Sequence, residues 1–472
     1  MGSVKINFIY SAGFQLINII VPLFTMPYLT RILGSRGIGI YSYAFSVASY
    51  FSLFILLGLY NYGSRTIAGI RNNKVILSRT FSEIYIFQFI CGIFVLILYG
   101  IYLIWFCNIE FIGLAFVIHI LSVILDITWF FNGLEKFKIL AIRNTFIKII
   151  SMILIFCFVK EENDLGKYCF ILTGSSLFAS IFFWICLKNE VVWIKPTING
   201  ILKHIKPNLI LFVTVLIISL YRIMDKIMLG LMSTYDQVGF FEITEKMTSI
   251  PLSFINAFGI VMLPHISNML TINRDYGRRT TYVSIIFVMF MSSSISFGIM
   301  AISNEFIPLF FGNGYRECIY LFLVNLPSCI FIGFANVLRT QYLIPHKMDV
   351  IYIKSTVLGA IVNVILNTIL IQLYGAFGAS ISTLAAEIVV CTYQAFKLRL
   401  ILPIKKYVID SIPFVFSGIF MFILVFTSPA FFISELYNLL FKITLGIIIY
   451  LLILATWLYI CKSSFVDLFI KK

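Results

Sequence analysis

Fourteen apolar runs, each roughly twenty residues long, leave this chain little choice of fold. They cover residues 7–29, 38–60, 81–106, 112–131, 140–159, 168–187, 209–231, 238–263, 282–302, 319–338, 351–370, 376–396, 412–432 and 439–460. About twenty apolar residues coiled as an α-helix match the ~30 Å hydrocarbon core of a bilayer. Inside that core every backbone N–H and C=O needs an internal partner, so each run is expected as a helix. The composition agrees. The chain of 472 residues is 61% hydrophobic and only 12% charged, with a mean hydropathy of +1.02. A water-soluble domain is about 45–50% apolar and about 25% charged. The first run is too long for a signal-peptide core and has no evident cleavage site, so it reads as a retained first span. The expected fold class is an all-α polytopic membrane protein of about 14 transmembrane helices.

The formal net charge of +15 suggests nucleic acid in a soluble protein. Here the basic residues sit in short connections between apolar runs, so membrane topology accounts for them and no nucleic-acid partner is expected. With the N-terminus placed in the cytoplasm, the inner segments carry 22 Lys and Arg and the outer loops 5. That bias places both termini on the cytoplasmic side of the membrane. No loop exceeds about 25 residues, so the chain has no sizeable extramembrane surface of the kind a sugar polymerase or ligase needs.

Nine Cys are scattered, mostly inside apolar runs, and form no C-x-x-C pair. They read as buried apolar thiols. The four histidines, His119, His204, His265 and His346, share no ligand spacing, so no zinc site is expected. Nothing in the pattern calls for a cofactor.

The chain also shows weak internal repetition. Thr30-Arg31-Ile32-Leu33-Gly34 followed by Gly37-Ile38-Gly39-Ile40-Tyr41 parallels Met228-Leu229-Gly230-Leu231 followed by Gln237-Val238-Gly239-Phe240-Phe241. The basic loops after spans 2 and 8 match, and spans 5 and 6 echo spans 11 and 12. Two parallel six-helix lobes are expected, at residues 1–195 and 196–400, with an appended helix pair at 401–472. The basic segment 188–206, which contains Pro196, is the expected linker.

A charge at bilayer depth is costly and normally faces a cavity or a partner. Arg143, Arg339 and Lys354 fall near span ends, where long side chains snorkel, and Lys442 near the outer end is read the same way. Lys148, Arg222, Lys226 and Lys246 are deeper. Arg222 and Lys226 are four residues apart and share a helical face, with Asp225 close to it. Span 8 carries Glu242, Glu245 and Lys246. These acids either neutralise the cations or take part in ion coupling. Asp126, the lone acid of span 4, is an inner-boundary residue, a partner for Lys148, or a proton or sodium site. Pro22 and Pro27 in span 1, and Pro251 and Pro264 in span 8, mark expected kinks. The small residues Gly375-Ala376-Phe377-Gly378-Ala379-Ser380 opening span 12 permit close helix packing.

Several of these stretches carry a family resemblance. Pro27-Tyr28-Leu29-Thr30-Arg31-Ile32-Leu33-Gly34, with Gly37-Ile38-Gly39-Ile40-Tyr41-Ser42, is similar to the opening of bacterial Wzx-type flippases. Asp126-Ile127-Thr128-Trp129-Phe130-Phe131-Asn132-Gly133-Leu134-Glu135-Lys136-Phe137 resembles that family's most distinctive stretch. Asp225-Lys226-Ile227-Met228-Leu229-Gly230, Met262-Leu263-Pro264 and Gly375-Ala376-Phe377-Gly378-Ala379 fit further positions, so the resemblance covers nearly the whole chain in order. It implies the fold of the multidrug/oligosaccharidyl-lipid/polysaccharide (MOP) exporter superfamily, which the multidrug (MATE) exporters share. It also implies alternating-access transport of undecaprenyl-pyrophosphate-linked oligosaccharide for O-antigen or capsule assembly. Membrane lipid, a polysaccharide polymerase and chain-length machinery are the implied partners. In that family Arg and Lys line the cavity, which makes Arg31, Lys148, Arg222, Lys226 and Lys246 the candidate substrate-binding residues.

Two other readings stand beside this one. A cation-coupled multidrug exporter of the same superfamily favours acids over bases in its cavity and usually has twelve spans. A membrane polysaccharide polymerase or ligase needs the external loop this chain lacks. A transporter, not an enzyme, is expected.

Overall fold

The structure is a computed structural model. It describes the backbone of residues 2–107, 109–188, 190–272 and 274–460. Side chains are described for the same residues except 2–16, 18, 19, 110, 214, 218, 221, 222, 260, 261, 263–272, 274–279, 458 and 460. Among the described residues every regular element is helical: α1 (Gly2–Leu56), α2 (Leu59–Ile70), α3 (Lys74–Phe106), α4 (Glu110–Ile124), α5 (Thr128–Gly133), α6 (Phe137–Phe158), α7 (Leu165–Leu187), α8 (Ile198–Met232), α9 (Tyr235–Ile272), α10 (Arg274–Ala301), α11 (Ser303–Phe311), α12 (Glu317–Asn325), α13 (Ser328–Leu338), α14 (Asp349–Leu398), α15 (Ile404–Phe426) and α16 (Glu435–Ile460). A π-helical turn, Arg339–Leu343, continues α13.

These helices supply the fourteen expected crossings. Both α1 and α14 are long enough for two spans, and each is broken at one glycine. Gly34 has φ 64° and ψ −179°, and Gly375 has φ 55° and ψ −129°. Those backbone angles are open to glycine and strained for other residues. Just past Gly375, the Ala376 N–H donates to Gln237 Oε1 at 2.8 Å, which satisfies a donor freed by the break. Gly378 lies directly against the Leu370 carbonyl, so a Cβ there would collide with backbone. The small-residue stretch read from the sequence therefore sits where the two halves of α14 meet. Span 4 is split between α4 and α5, and span 10 between α12 and α13. Pro22 and Pro27 both lie inside α1. The expected linker is shorter than the sequence suggests, because α8 already begins at Ile198 and takes in Lys203, Lys206 and Pro207.

The chain packs as two compact units, Met1–Ile227 and Met228–Lys472, with the division inside α8. In the first unit an aromatic cluster holds α3, α5 and α7 together. Phe131 stacks on Phe183 with centroids 4.7 Å apart, Phe81 meets Phe130 edge-on at 4.9 Å, and Tyr85 meets Trp184 at 4.6 Å. Offset and edge-on aromatic pairs add about 0.5–1.5 kcal/mol each beyond their burial. In the second unit α10 packs along α15 and α13. Ser292, Ser293 and Ser296 are buried on α10, and Gly418 of α15 lies hard against the Phe297 ring. Small residues let these helices approach closely, which is how membrane helices gain packing without a hydrophobic driving force. The C-terminal pair is thus an integral part of the second unit. Lys442 departs from the sequence expectation. It does not snorkel: its side chain is 2% exposed, and its Nζ lies 2.6 Å from Glu305 Oε1. A buried ammonium with a carboxylate in reach gains more by pairing than by stretching to the interface.

Candidate functional site

The stretch 126–137 shows how a break in a membrane helix is stabilised. Between α4 and α5 the regular helical bonding is interrupted at the carbonyls of Val123, Ile124 and Asp126, of which Val123 accepts the Asp126 N–H at 3.2 Å. Gln88 on α3 supplies one amide to all three, from Nε2 at 3.0, 3.1 and 2.9 Å. Its Oε1 accepts the Trp129 indole N–H at 2.9 Å. Trp129 is 1% exposed and covers Gly63, where a Cβ would stand 2.7 Å from the ring. The Ser64 hydroxyl donates to the Trp129 carbonyl at 3.1 Å. The Asp126 carboxylate accepts the Thr128 backbone N–H at 2.9 Å and the Thr128 hydroxyl. In this geometry Asp126 opens α5 as an Asx turn does.

Of the candidate cations, Arg31 and Lys148 lie on two helices that pack together, α1 and α6. The Tyr28 hydroxyl on α1 donates to the Val159 carbonyl just past α6 at 2.7 Å, which sets their register. Arg31, one turn beyond Tyr28 on α1, is exposed, and its Nη1 donates to the Pro27 carbonyl at 3.4 Å. Lys148 is half-buried and lies eleven residues before Val159, about 16 Å along the axis at 1.5 Å per residue. The two cations therefore stand at different depths. Helix α6 carries Lys138, Arg143 and Lys148 and no acid. The Arg143 guanidinium stacks 3.9 Å over the Phe183 ring and donates to the Ala179 carbonyl at 3.2 Å.

Lys226 is half-buried and Asp225 buried near the end of α8, while the Arg222 side chain lies outside the described residues. On α9 the Lys246 ammonium sits 3.0 Å from Glu242, one turn earlier. Glu242 is buried and Glu245 half-buried. The candidate residues thus fall in both units, with Lys246, Glu242 and Glu245 in the second and the rest in the first.

A cluster the sequence reading passed over lies where α3 meets the start of α8. The Glu83 side chain is 0% exposed and faces three basic groups. Arg79 Nε is 3.2 Å away, Lys203 Nζ 2.8 Å and His204 Nε2 3.4 Å. The other His204 nitrogen, Nδ1, is 2.6 Å from the Tyr62 hydroxyl on α2. The tautomer with its proton on Nε2 serves both contacts: the imidazole donates to Glu83, and the tyrosine donates to Nδ1. Gly200 of α8 abuts the Glu83 carboxylate and has no room for a Cβ. One carboxylate therefore pins α8 to α3, and through His204 to α2. The Arg79–Glu83 spacing of four residues was the available signal. The partners on α8 were hidden because segment 198–206 reads as linker.

Residues 4–270 match the model of a family described as "Polysaccharide biosynthesis protein". The "Putative O-antigen transporter" of Escherichia coli K12 is 24% identical over 412 residues, covering 84% of this chain and 97% of that protein. The "Probable low-salt glycan biosynthesis flippase Agl15" of Haloferax volcanii is 26% identical over 164 residues, 34% of each chain. A solved structure described as "Lipid II flippase MurJ, inward closed conformation" superposes with a TM-score of 0.75 over 97% of this chain and 100% of that one, at 14% identity. At that identity the likeness speaks for the fold. The family match covers more than half of the sequence and includes the stretches at 27–42, 126–137, 225–230 and 262–264 that carried the Wzx-type resemblance; the stretch at 375–379 lies beyond it. This fourteen-span chain therefore belongs to the polysaccharide biosynthesis protein family and has the fold of that solved flippase.

Proposed function

We propose that this protein flips undecaprenyl-pyrophosphate-linked oligosaccharide units from the cytoplasmic to the outer leaflet of a bacterial inner membrane, by alternating access. The observation that carries the reading is a set of basic residues at different depths along spanning helices, in a member of this family. Arg31 stands on α1, Lys148 on the acid-free α6, and Lys226 on α8. A pyrophosphate diester carries about two negative charges, which a guanidinium binds through its planar fork and an ammonium as a point charge. Cations at several depths lower the barrier for an anionic head group at more than one stage of the crossing. The lipid tail needs no site of this kind, because it stays in hydrocarbon. In this reading Lys246 is held in reserve by Glu242. The polymerase and chain-length machinery act on the product at the outer face.

The test is deletion of the gene in its host, followed by analysis of lipid-linked intermediates and surface polysaccharide. The expected result is loss of polymer with intermediates trapped in the inner leaflet, restored by the wild-type gene. Complementation by Lys148→Ala and Lys226→Ala, with expression matched, is expected to fall at least tenfold. Intact polymer after deletion, with no trapped intermediate, rejects the flippase reading. Full complementation by both variants rejects these cations as its carriers.

A further inference from the structure

The second unit holds a concavity unrelated to the candidate residues above. It has a volume of about 550 Å³ and lies where α14 ends and α15 begins. Arg399, Lys406, Tyr282 and Tyr407 line it, with Leu400 and Pro403 at its edge. The aromatic wall is rigid. The Tyr282 hydroxyl donates to Asp410 Oδ2 at 2.6 Å, and the Tyr282 and Tyr407 rings are 5.7 Å apart. The Lys406 ammonium lies over the Tyr282 ring at 5.3 Å, and the Arg399 guanidinium over Phe396 at 3.8 Å. Neither cation has a carboxylate partner among the described residues. Asp410, the nearby acid, is engaged by Tyr282.

Two features say what kind of anion fits. The pocket lies at helix ends, so it belongs to the membrane–water boundary. Its rim is also apolar. Leu400 is 90% exposed, and from the two lysines onward α15 presents Val408, Ile409, Ile412 and Phe416 as an exposed stripe. These recur at helical spacing on one face. A ligand that covers both parts has an anionic phosphodiester head and acyl chains. Setting the orientation of the chain requires only that charge be present in the connection. It requires neither a concavity nor cations placed over aromatic rings.

The geometry points to a binding site for an anionic phospholipid. Its phosphate sits between Arg399 and Lys406 against the Tyr282–Tyr407 wall, and its acyl chains run along α15. Basic pockets between spanning helices recognise phospholipid head groups in this way. Because α15 packs along α10, a lipid here bridges the C-terminal helix pair to the rest of the second unit.

The experiment is native mass spectrometry of the full-length protein in mild detergent, with phosphatidylglycerol or phosphatidylcholine of identical acyl chains. The expected result is preferential retention of phosphatidylglycerol. Arg399→Gln with Lys406→Gln should lower that retention about thirtyfold, at roughly 1 kcal/mol per basic residue. The control is Lys397→Gln with Lys405→Gln, which removes the same charge from the same connection but from outside the lining. It should keep the preference. Equal loss in the two double variants means general electrostatics and overturns the site, as does equal retention of the two lipids. Displacement of the lipid by inorganic pyrophosphate at equal concentration means a bare anion site and overturns the lipid assignment. Displacement by a polyprenyl pyrophosphate, but not by inorganic pyrophosphate, makes the pocket a substrate entry point and overturns it likewise.

Discussion

Glu83 and its cations make an asymmetric prediction. Glu83→Gln removes the charge and keeps the shape. The contacts it weakens go to Arg79 and Lys203, whose side chains are 55% and 56% exposed. Contacts of that kind are worth about 0.2–1 kcal/mol each. The substitution also removes the cost of holding a carboxylate out of water, which offsets part of that loss. A net destabilisation of about 1 kcal/mol follows. Arg79→Gln with Lys203→Gln does the opposite and leaves a shielded carboxylate facing only His204. Stranding a buried charge costs about 3–5 kcal/mol, and the lower end applies because the lost cations were half in water. For a unit of this size about 1 kcal/mol moves the melting midpoint by roughly 2–4 °C. The acid variant should therefore drop the apparent midpoint by about 2–4 °C, and the cation double variant by about 6–12 °C. The assay is thermal unfolding of the purified protein in one detergent, read by tryptophan fluorescence. A Glu83→Gln midpoint as low as that of the double variant, or lower, would refute the reasoning. It would mean that the carboxylate drives the packing of α8 on α3 and is not merely tolerated there.

Other contacts lead to equally direct outcomes. Lys442→Ala leaves Glu305 without its 2.6 Å partner and should cost about 3–5 kcal/mol, while Lys442→Met with Glu305→Leu should be close to neutral. A double-mutant cycle on the melting midpoint measures the coupling, and additive effects would deny it. Gln88→Leu removes the amide shared by three carbonyls at the α4–α5 break, of which Val123 keeps the Asp126 N–H at 3.2 Å, and should cost more than Trp129→Phe, which removes one bond of about 1 kcal/mol. Folded yield in the membrane and midpoint both report the ranking, and the reverse order would exclude Gln88 as the keystone. Gly34→Ala and Gly69→Ala each put a Cβ into open space. Only Gly34 has a positive φ, so Gly34→Ala should lose about 1–3 kcal/mol while Gly69→Ala holds or gains stability. Equal midpoints would mean that the α1 break relaxes without strain.

The fourteen crossings were legible in the chain alone, because the bilayer imposes one length and one internally bonded conformation on every apolar run. The two glycine breaks coincide with gaps between the runs. The distinctive stretch 126–137 was legible as a signature but not as a mechanism. Its role needs Gln88, about forty residues earlier in the chain, to donate into the carbonyls that the break exposes. The deep cations could be picked out by residue type, since a charge in an apolar run stands out at once. Their pairing could not. Whether Lys442 snorkels or meets Glu305 depends on which helices are neighbours, and whether Lys246 reaches Glu242 one turn earlier on α9 depends on rotamers. Sequence hydropathy also hid the Glu83 cluster, because residues 198–206 look like a polar connection while their contacts with α3 make them the first turns of α8. One-dimensional pattern thus determined what must lie in the membrane. Only tertiary packing decided which distant polar groups meet there, since Lys442 with Glu305, and Glu83 with Lys203 and His204, share a depth and not a neighbourhood in the chain.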